Sequence, residues 1–177
     1  MSQHKVKTSL ITIFLALVTI ITNSCNNESN DMMNLVQWVD PMIGTSGHGH
    51  TFPGATVPFG MVQLSPDSHT EGWDWCSGYH FSDSSIIGFS HTHLSGTGRG
   101  DLLDILVMPY TGDTKWTAGT RENPDSGYRS RFSHDKEISH PGYYSVNLQD
   151  YHIKAELTTS RRAGFHRYTF EKGKSKI

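Results

Sequence analysis

In Tyr151-His152-Ile153-Lys154-Ala155-Glu156-Leu157-Thr158-Thr159, three apolar side chains (Ile153, Ala155 and Leu157) alternate with Lys154, Glu156 and Thr158. A period of two puts the apolar set on one face, which predicts a half-buried strand. The same reading extends outward. Tyr143 to Leu148 lies just upstream, and Gly164 to Phe170 alternates in the same way downstream. Gln149-Asp150 falls between the first two runs and reads as a tight hairpin turn, although it lacks the Gly that such turns favour. Further upstream, Met61 to Leu64, Ile86 to His93 and Asp104 to Met108 are short runs of strand-forming residues. Pro41, Gly44, Pro53, Gly54, Pro58 and Gly60 punctuate the chain, and no amphipathic helix is evident after Leu35. Short strands separated by regular turn signals predict an all-β chain folded as a β-sandwich.

The composition narrows the function. At 177 residues the chain has the length of one domain, typically about 100–200 residues. Its 15 Lys and Arg against 17 Asp and Glu give a formal net charge of −2 with no basic run, which excludes a nucleic-acid binder. Aromatic residues make up 11%, too many for a disordered chain of such low net charge. The anomaly is histidine: six of the 11 lie between His48 and His93, among many glycines.

The N-terminus reads as an address. Lys5 and Lys7 precede an apolar run from Leu10 to Ile21 that is interrupted only by Thr12 and Thr19. That run is too short for a spanning helix, which needs about 20 residues, and it fits a signal peptide. Thr22-Asn23-Ser24-Cys25 resembles a lipoprotein processing site, with Cys25 as the lipidated residue; an ordinary secretory signal is the alternative. The expected organisation is a lipoprotein-type signal peptide over 1–24, a polar tether over 25–34 and a β-sandwich over 35–177. The sandwich is expected to be cut short at its C-terminal end. The expected location is exported, anchored to the outer membrane through lipid, either periplasmic or at the cell surface. With Cys25 lipidated, Cys76 would have no intrachain disulfide partner.

Three segments carry the chemistry. Residues 44–60, GTSGHGHTFPGATVPFG, form a Gly- and Pro-rich loop in which His48 and His50 flank Gly49. Residues 71–83, EGWDWCSGYHFSD, place Trp73 and Trp75 on one face and Asp74 on the other if the segment is extended. Aromatic rings beside carboxylates suit a sugar, since the ring packs on the C–H face while polar groups fix the hydroxyls; the same tryptophans could equally be core. Residues 88–101, GFSHTHLSGTGRGD, put His91 and His93 at strand spacing, facing one side. Such a pair can hold a metal together with His48 and His50, or can serve as structural or substrate-contact histidines.

Read together, these segments resemble the N-terminal domain of glycoside hydrolase family 92, the exo-acting α-mannosidases of gut Bacteroidetes. The resemblance rests on Val39-Asp40-Pro41-Met42-Ile43-Gly44-Thr45, Gly47-His48-Gly49-His50-Thr51-Phe52-Pro53-Gly54-Ala55 and Pro58-Phe59-Gly60-Met61-Val62-Gln63-Leu64-Ser65-Pro66-Asp67. It continues through Gly72-Trp73-Asp74, Cys76-Ser77-Gly78-Tyr79-His80 and Gly88-Phe89-Ser90-His91-Thr92-His93-Leu94-Ser95-Gly96-Thr97-Gly98. Such enzymes pair an N-terminal β-sandwich with a C-terminal (α/α)6 barrel that has no counterpart here. The resemblance implies calcium-dependent, inverting cleavage of terminal α-mannose, with α-1,2 linkages favoured. It implies that the catalytic carboxylates and calcium ligands lie in the barrel, outside this chain. On this chain it leaves a share of the substrate pocket: Trp73, Asp74 and Trp75, with His48, His50, His91 and His93 around them. No catalytic residue and no metal ligand is assigned here. The expected partners are a mannose-containing glycan and the barrel, and the 177 residues alone are expected to be inactive. A non-catalytic glycan-binding lipoprotein is the alternative function, and a zinc hydrolase using the His48/His50 and His91/His93 pairs is a third.

Overall fold

The computed structural model describes residues 35–171 and 175–177. The chain divides into two units after Trp38. Described residues of the first unit form a single 3-10 turn, Val36–Trp38. The expected signal peptide, Cys25 and the tether lie outside the described residues.

The second unit is built on antiparallel strands, and the alternating stretch lies at its centre. Strand β8 (Ile153–Thr159) pairs with β7 (Tyr143–Leu148) on one side and β9 (Gly164–Phe170) on the other, and β6 (Ile138–His140) completes a sheet ordered β6-β7-β8-β9. The register sets Tyr144 against Leu157, Val146 against Ala155 and Leu148 against Ile153. All six are buried. Each large apolar side chain so sealed contributes about 1.5–3 kcal/mol. The opposite face is polar. There Glu156 accepts from Arg167 at 2.6 and 2.8 Å, from the Tyr143 hydroxyl at 2.8 Å and from Lys154 at 3.2 Å. The Arg167 hydrogen bonds, followed by that of Tyr143, hold the Glu156 carboxyl down at about 2.

A second layer contains β1 (Ala55–Thr56), β2 (Gln63–Asp67) and β4 (Gly88–Ser90), ordered β1-β2-β4. Strands β3 (Ser85–Ile86) and β5 (Ser130–Arg131) form a separate pair. The two layers meet where β8 packs on β1 and β2. Leu64, Ile86, Phe89 and Phe132 complete the core with Tyr79. The architecture is the expected all-β sandwich.

Three local expectations change. The β7–β8 connection is not a two-residue turn at Gln149-Asp150. It runs through His152, which takes a left-handed backbone with φ 53°. The run from Ile86 to His93 breaks after Ile86, where the Ile87 amide donates to the Asp67 carbonyl at 2.8 Å, and β4 ends at Ser90. His91 and His93 are therefore not on a strand. Asp104 to Met108 forms no strand: Leu102, Leu103 and Ile105 adopt φ of 69°, 61° and 59°, which extended backbone does not allow, and only Val107 makes a bridge, to Phe89.

Candidate functional site

The loop that carries His48 and His50 closes tightly on itself. Thr51 N–H donates to the Gly44 carbonyl at 3.3 Å, and Gly49 packs so close to Gly44 that a Cβ at position 49 would overlap the Gly44 carbonyl. Glycine between the two histidines is a steric requirement, and it aims both imidazoles the same way. His80 braces the loop. Its Nε2 donates to the Gly47 carbonyl at 3.1 Å while its Nδ1 accepts from the Ser82 amide at 3.2 Å. The Gly96 amide donates to the His50 carbonyl at 2.7 Å and ties in the Gly-rich segment 95–98.

Trp73–Trp75 is a 3-10 turn and not an extended strand. Gly72 turns the backbone with φ 97°, and the Trp75 amide then donates back to the Gly72 carbonyl at 3.2 Å. The two indoles consequently do not share a face. Trp75 is half-buried: its Nε1 donates to Asp83 at 2.6 Å, and the Arg121 guanidinium lies 4.1 Å over its ring. Trp73 is 56% exposed. The His48 ring lies 4.9 Å from it and the His50 ring meets it edge-on at 4.4 Å. Gly98 lies against the Trp73 indole, where a Cβ would crowd Nε1. The Cys76 thiol donates to the Thr97 carbonyl at 2.7 Å, fastening this turn to the same Gly-rich segment. Burial pushes that thiol up, so it stays protonated.

Asp74 completes the group. His48 Nδ1 lies 2.6 Å from Asp74 Oδ1, and this hydrogen bond holds the Asp74 carboxyl below the usual range. His50 Nε2 lies 3.5 Å from the same oxygen. His50 is buried, its backbone is left-handed with φ 53°, and its Nε2 makes no hydrogen bond. The structure thus brings His48, His50, Trp73 and Asp74 to one surface. It directs the other three predicted residues elsewhere.

His93 is sealed in the interior. Its Nδ1 donates to the Gln63 carbonyl at 2.7 Å, and its Nε2 faces both Asp67 Oδ1 at 2.9 Å and Ser90 Oγ at 3.1 Å. These are the residue types of a nucleophile–base–acid set. Serine and carboxylate share one ring nitrogen, however, so the imidazole cannot relay a proton between them. His91 Nδ1 donates to the Ile105 carbonyl at 2.9 Å, which leaves Nε2 to accept from His166 Nε2 at 3.0 Å. Burial, reinforced by His91, pushes His166 down to about 4. The four-histidine metal arrangement, the third alternative raised by the sequence, is not assembled, because His91 and His93 are spent on these partners.

One group went unpredicted. Glu137, with a side chain 2% exposed, accepts from the buried Tyr79 and Tyr144 hydroxyls and lies 2.7 Å from His134 Nδ1. His134 stacks on Phe81, whose amide donates to the Thr45 carbonyl at 2.8 Å. This buried network therefore reaches the base of the His48 loop. Its residues lie 55 to 65 positions from Tyr79 along the chain apart from Phe81, and no local motif joins them.

Comparison with known proteins places the chain in a family. The model of the glycosyl hydrolase family 92 N-terminal domain matches residues 38–177. A solved family GH92 α-mannosidase from Bacteroides thetaiotaomicron, in complex with mannoimidazole, is 50% identical with a TM-score of 0.77, over 78% of this chain and 18% of that one. A GH92 inverting mannosidase from B. thetaiotaomicron VPI-5482 is 29% identical with a TM-score of 0.60, over 79% of this chain and 18% of the other. An "uncharacterized secreted glycosidase" of Arthroderma benhamiae is 29% identical over 141 residues, 77% of this chain and 17% of the relative. The class defined here is the β-sandwich domain of a glycoside hydrolase. The chain belongs to glycosyl hydrolase family 92, and residues 38–177 are the family's N-terminal domain. It spans less than a fifth of the length of these relatives.

Proposed function

We propose that this chain is the N-terminal portion of an exported α-mannosidase that hydrolyses terminal α-mannose, α-1,2-linked by preference, with inversion. The observation that carries this reading is the 50% identity to a solved α-mannosidase across 78% of the chain. In this reading the surface around Trp73 forms part of the substrate pocket. The exposed indole packs on the C–H face of the sugar, and the Asp74 carboxylate and His48 imidazole hydrogen-bond its hydroxyls. Inversion needs two carboxyl groups about 6.5–9.5 Å apart, one protonating the leaving oxygen and one activating water. Those groups are placed in the remaining part of the enzyme. So are the ligands of the calcium ion the family uses: calcium takes six to eight oxygen ligands, whereas the clustered donors here are two imidazoles and one carboxylate, a set that does not fit it. Export through the 1–24 signal and anchoring to the outer membrane through Cys25 complete the proposal, and the secreted fungal relative supports the export step.

Exposed Trp73 also favours a second reading, a lipoprotein that binds glycans without cleaving them. A chimaera separates the two. Residues 38–177 replace the corresponding domain of the B. thetaiotaomicron α-mannosidase, and mannose release from α-1,2-mannobiose is measured with calcium. The enzyme reading predicts turnover by the chimaera and none by the 177-residue chain. A folded chimaera without turnover, alongside a chain retarded by α-mannan in affinity electrophoresis, would establish the binding module instead.

A further inference from the structure

The oddest atom in the molecule is His50 Nε2. It is buried and makes no hydrogen bond, and it belongs to a residue held in a left-handed backbone. A buried polar atom left unmet is costly, and a left-handed backbone is uncommon outside glycine, although His and Asn take it more readily than most residues. Within the chain the nitrogen has the approach to Asp74 Oδ1 at 3.5 Å, which is too long to satisfy it. Both features become intelligible if the nitrogen's partner is a ligand.

The surroundings specify which kind. His48, His50 and Asp74 each offer one donor atom, and the three atoms lie within 4.8 Å of one another. Among the described residues this is the group of ligand-type side chains that converges so closely. Two imidazoles and one carboxylate suit a first-row divalent ion such as zinc, at about 2.0–2.2 Å from each donor. The 3.5 Å between His50 Nε2 and Asp74 Oδ1 is close to the edge of a tetrahedron with such bonds. His48, with its side chain 71% exposed, has room to swing its nitrogen off Asp74 and onto the ion. The remaining parts are rigid: Gly49 fixes the spacing of the two histidines, the Gly96 amide pins the His50 carbonyl, and the 3-10 turn carries Asp74.

We propose that His48, His50 and Asp74 form a three-ligand site for a zinc-class divalent ion, with its open coordination positions beside Trp73. This site differs from the four-histidine arrangement suggested by the sequence and is distinct from the calcium the family uses. It involves no hydrolytic step. An ion held there takes the His48 and Asp74 atoms given above to the sugar hydroxyls and would meet those hydroxyls in their place, while the zinc measurement, made without glycan, fails or succeeds apart from mannose release.

Equilibrium dialysis of the chain against zinc chloride, with cobalt(II) as a spectroscopic substitute, tests it. The expected result is about one zinc per chain and a visible cobalt band of low-symmetry coordination, with His48→Ala weakening binding at least about tenfold, the loss that even an outer partner of a metal ligand costs. His48 is exposed, so this variant leaves packing intact. His50→Asn, chosen because Asn tolerates a left-handed backbone, and Asp74→Asn should weaken zinc equally, with unchanged circular dichroism. Binding of well under one equivalent by the unaltered chain overturns the proposal, as does equal affinity of the unaltered chain and His48→Ala.

Discussion

Replacing Glu137 by Gln is the sharpest probe of how the interior supports the site. The carboxylate accepts from Tyr144 at 2.5 Å and from Tyr79 at 2.9 and 3.0 Å, and lies 2.7 Å from His134 Nδ1. Burial first, and then the Glu137 charge, hold both phenols well above their usual range, so both are obligate donors. A Gln has one acceptor oxygen and presents an amide donor to the others. The change removes at least one hydrogen bond to a charged group, worth about 1.5–3 kcal/mol, and leaves a buried donor facing a donor, at about 1–3 kcal/mol. The expected destabilisation is about 3–5 kcal/mol, in line with breaking a buried ion pair. For a domain of this size that lowers Tm by roughly 10 °C. Urea and thermal unfolding followed by near-ultraviolet circular dichroism measure it. Tyr144→Phe supplies the control: it should cost about 1–2 kcal/mol in the native background but almost nothing beside Glu137→Gln, because it then removes the unmatched donor. A loss below about 1 kcal/mol for Glu137→Gln, or strict additivity with Tyr144→Phe, would refute the reasoning.

Two further outcomes follow from the same geometry. His166 sits near 4 in the folded chain against 6.5 in the unfolded one, so the unfolded chain takes the proton first. The stability this neutral histidine confers is complete above 6.5 and drains away as pH falls toward 4. His166→Gln should flatten that limb of the stability–pH curve, and an unchanged limb would show that the His91–His166 contact does not titrate as stated. Gly49→Ala should cost about 1–3 kcal/mol in thermal unfolding, through overlap with the Gly44 carbonyl, and should weaken zinc binding with it; wild-type stability and zinc affinity would contradict the tight-loop reading.

The alternating runs were legible because one face of each is buried and the other more open, as in Val146, Ala155 and Leu157 against half-buried Asn147 and exposed Lys154 and Thr158. Strand β7 falls on the residues expected, and the sandwich follows from such strands. Backbone excursions were not legible. Gly72 alone turns Trp73-Asp74-Trp75 from a strand into a 3-10 turn, and a glycine in a sequence does not announce which sign of φ it takes. Left-handed Leu102, Leu103 and Ile105 defeat propensity, since these residues rarely adopt it. For the site, the Gly-flanked His48/His50 pair and Trp73-Asp74 were visible as motifs. His91 and His93 looked equivalent to them, and only long-range partners (His166 and Asp67) separate the classes. Glu137 carried no local signal, because its phenol partners come from Tyr79, far upstream, and from the next strand over.

The central claim is that Trp73 faces the sugar of an α-mannosidase. It is tested most directly by kcat/KM for α-1,2-mannobiose in the chimaera carrying residues 38–177, with and without Trp73→Ala. Burying such a ring against substrate is worth about 1.5–3 kcal/mol, which converts to roughly 10–100-fold in kcat/KM. The prediction is a loss of that size with Tm unchanged. A Trp73→Ala chimaera that keeps the parent's kcat/KM would contradict it.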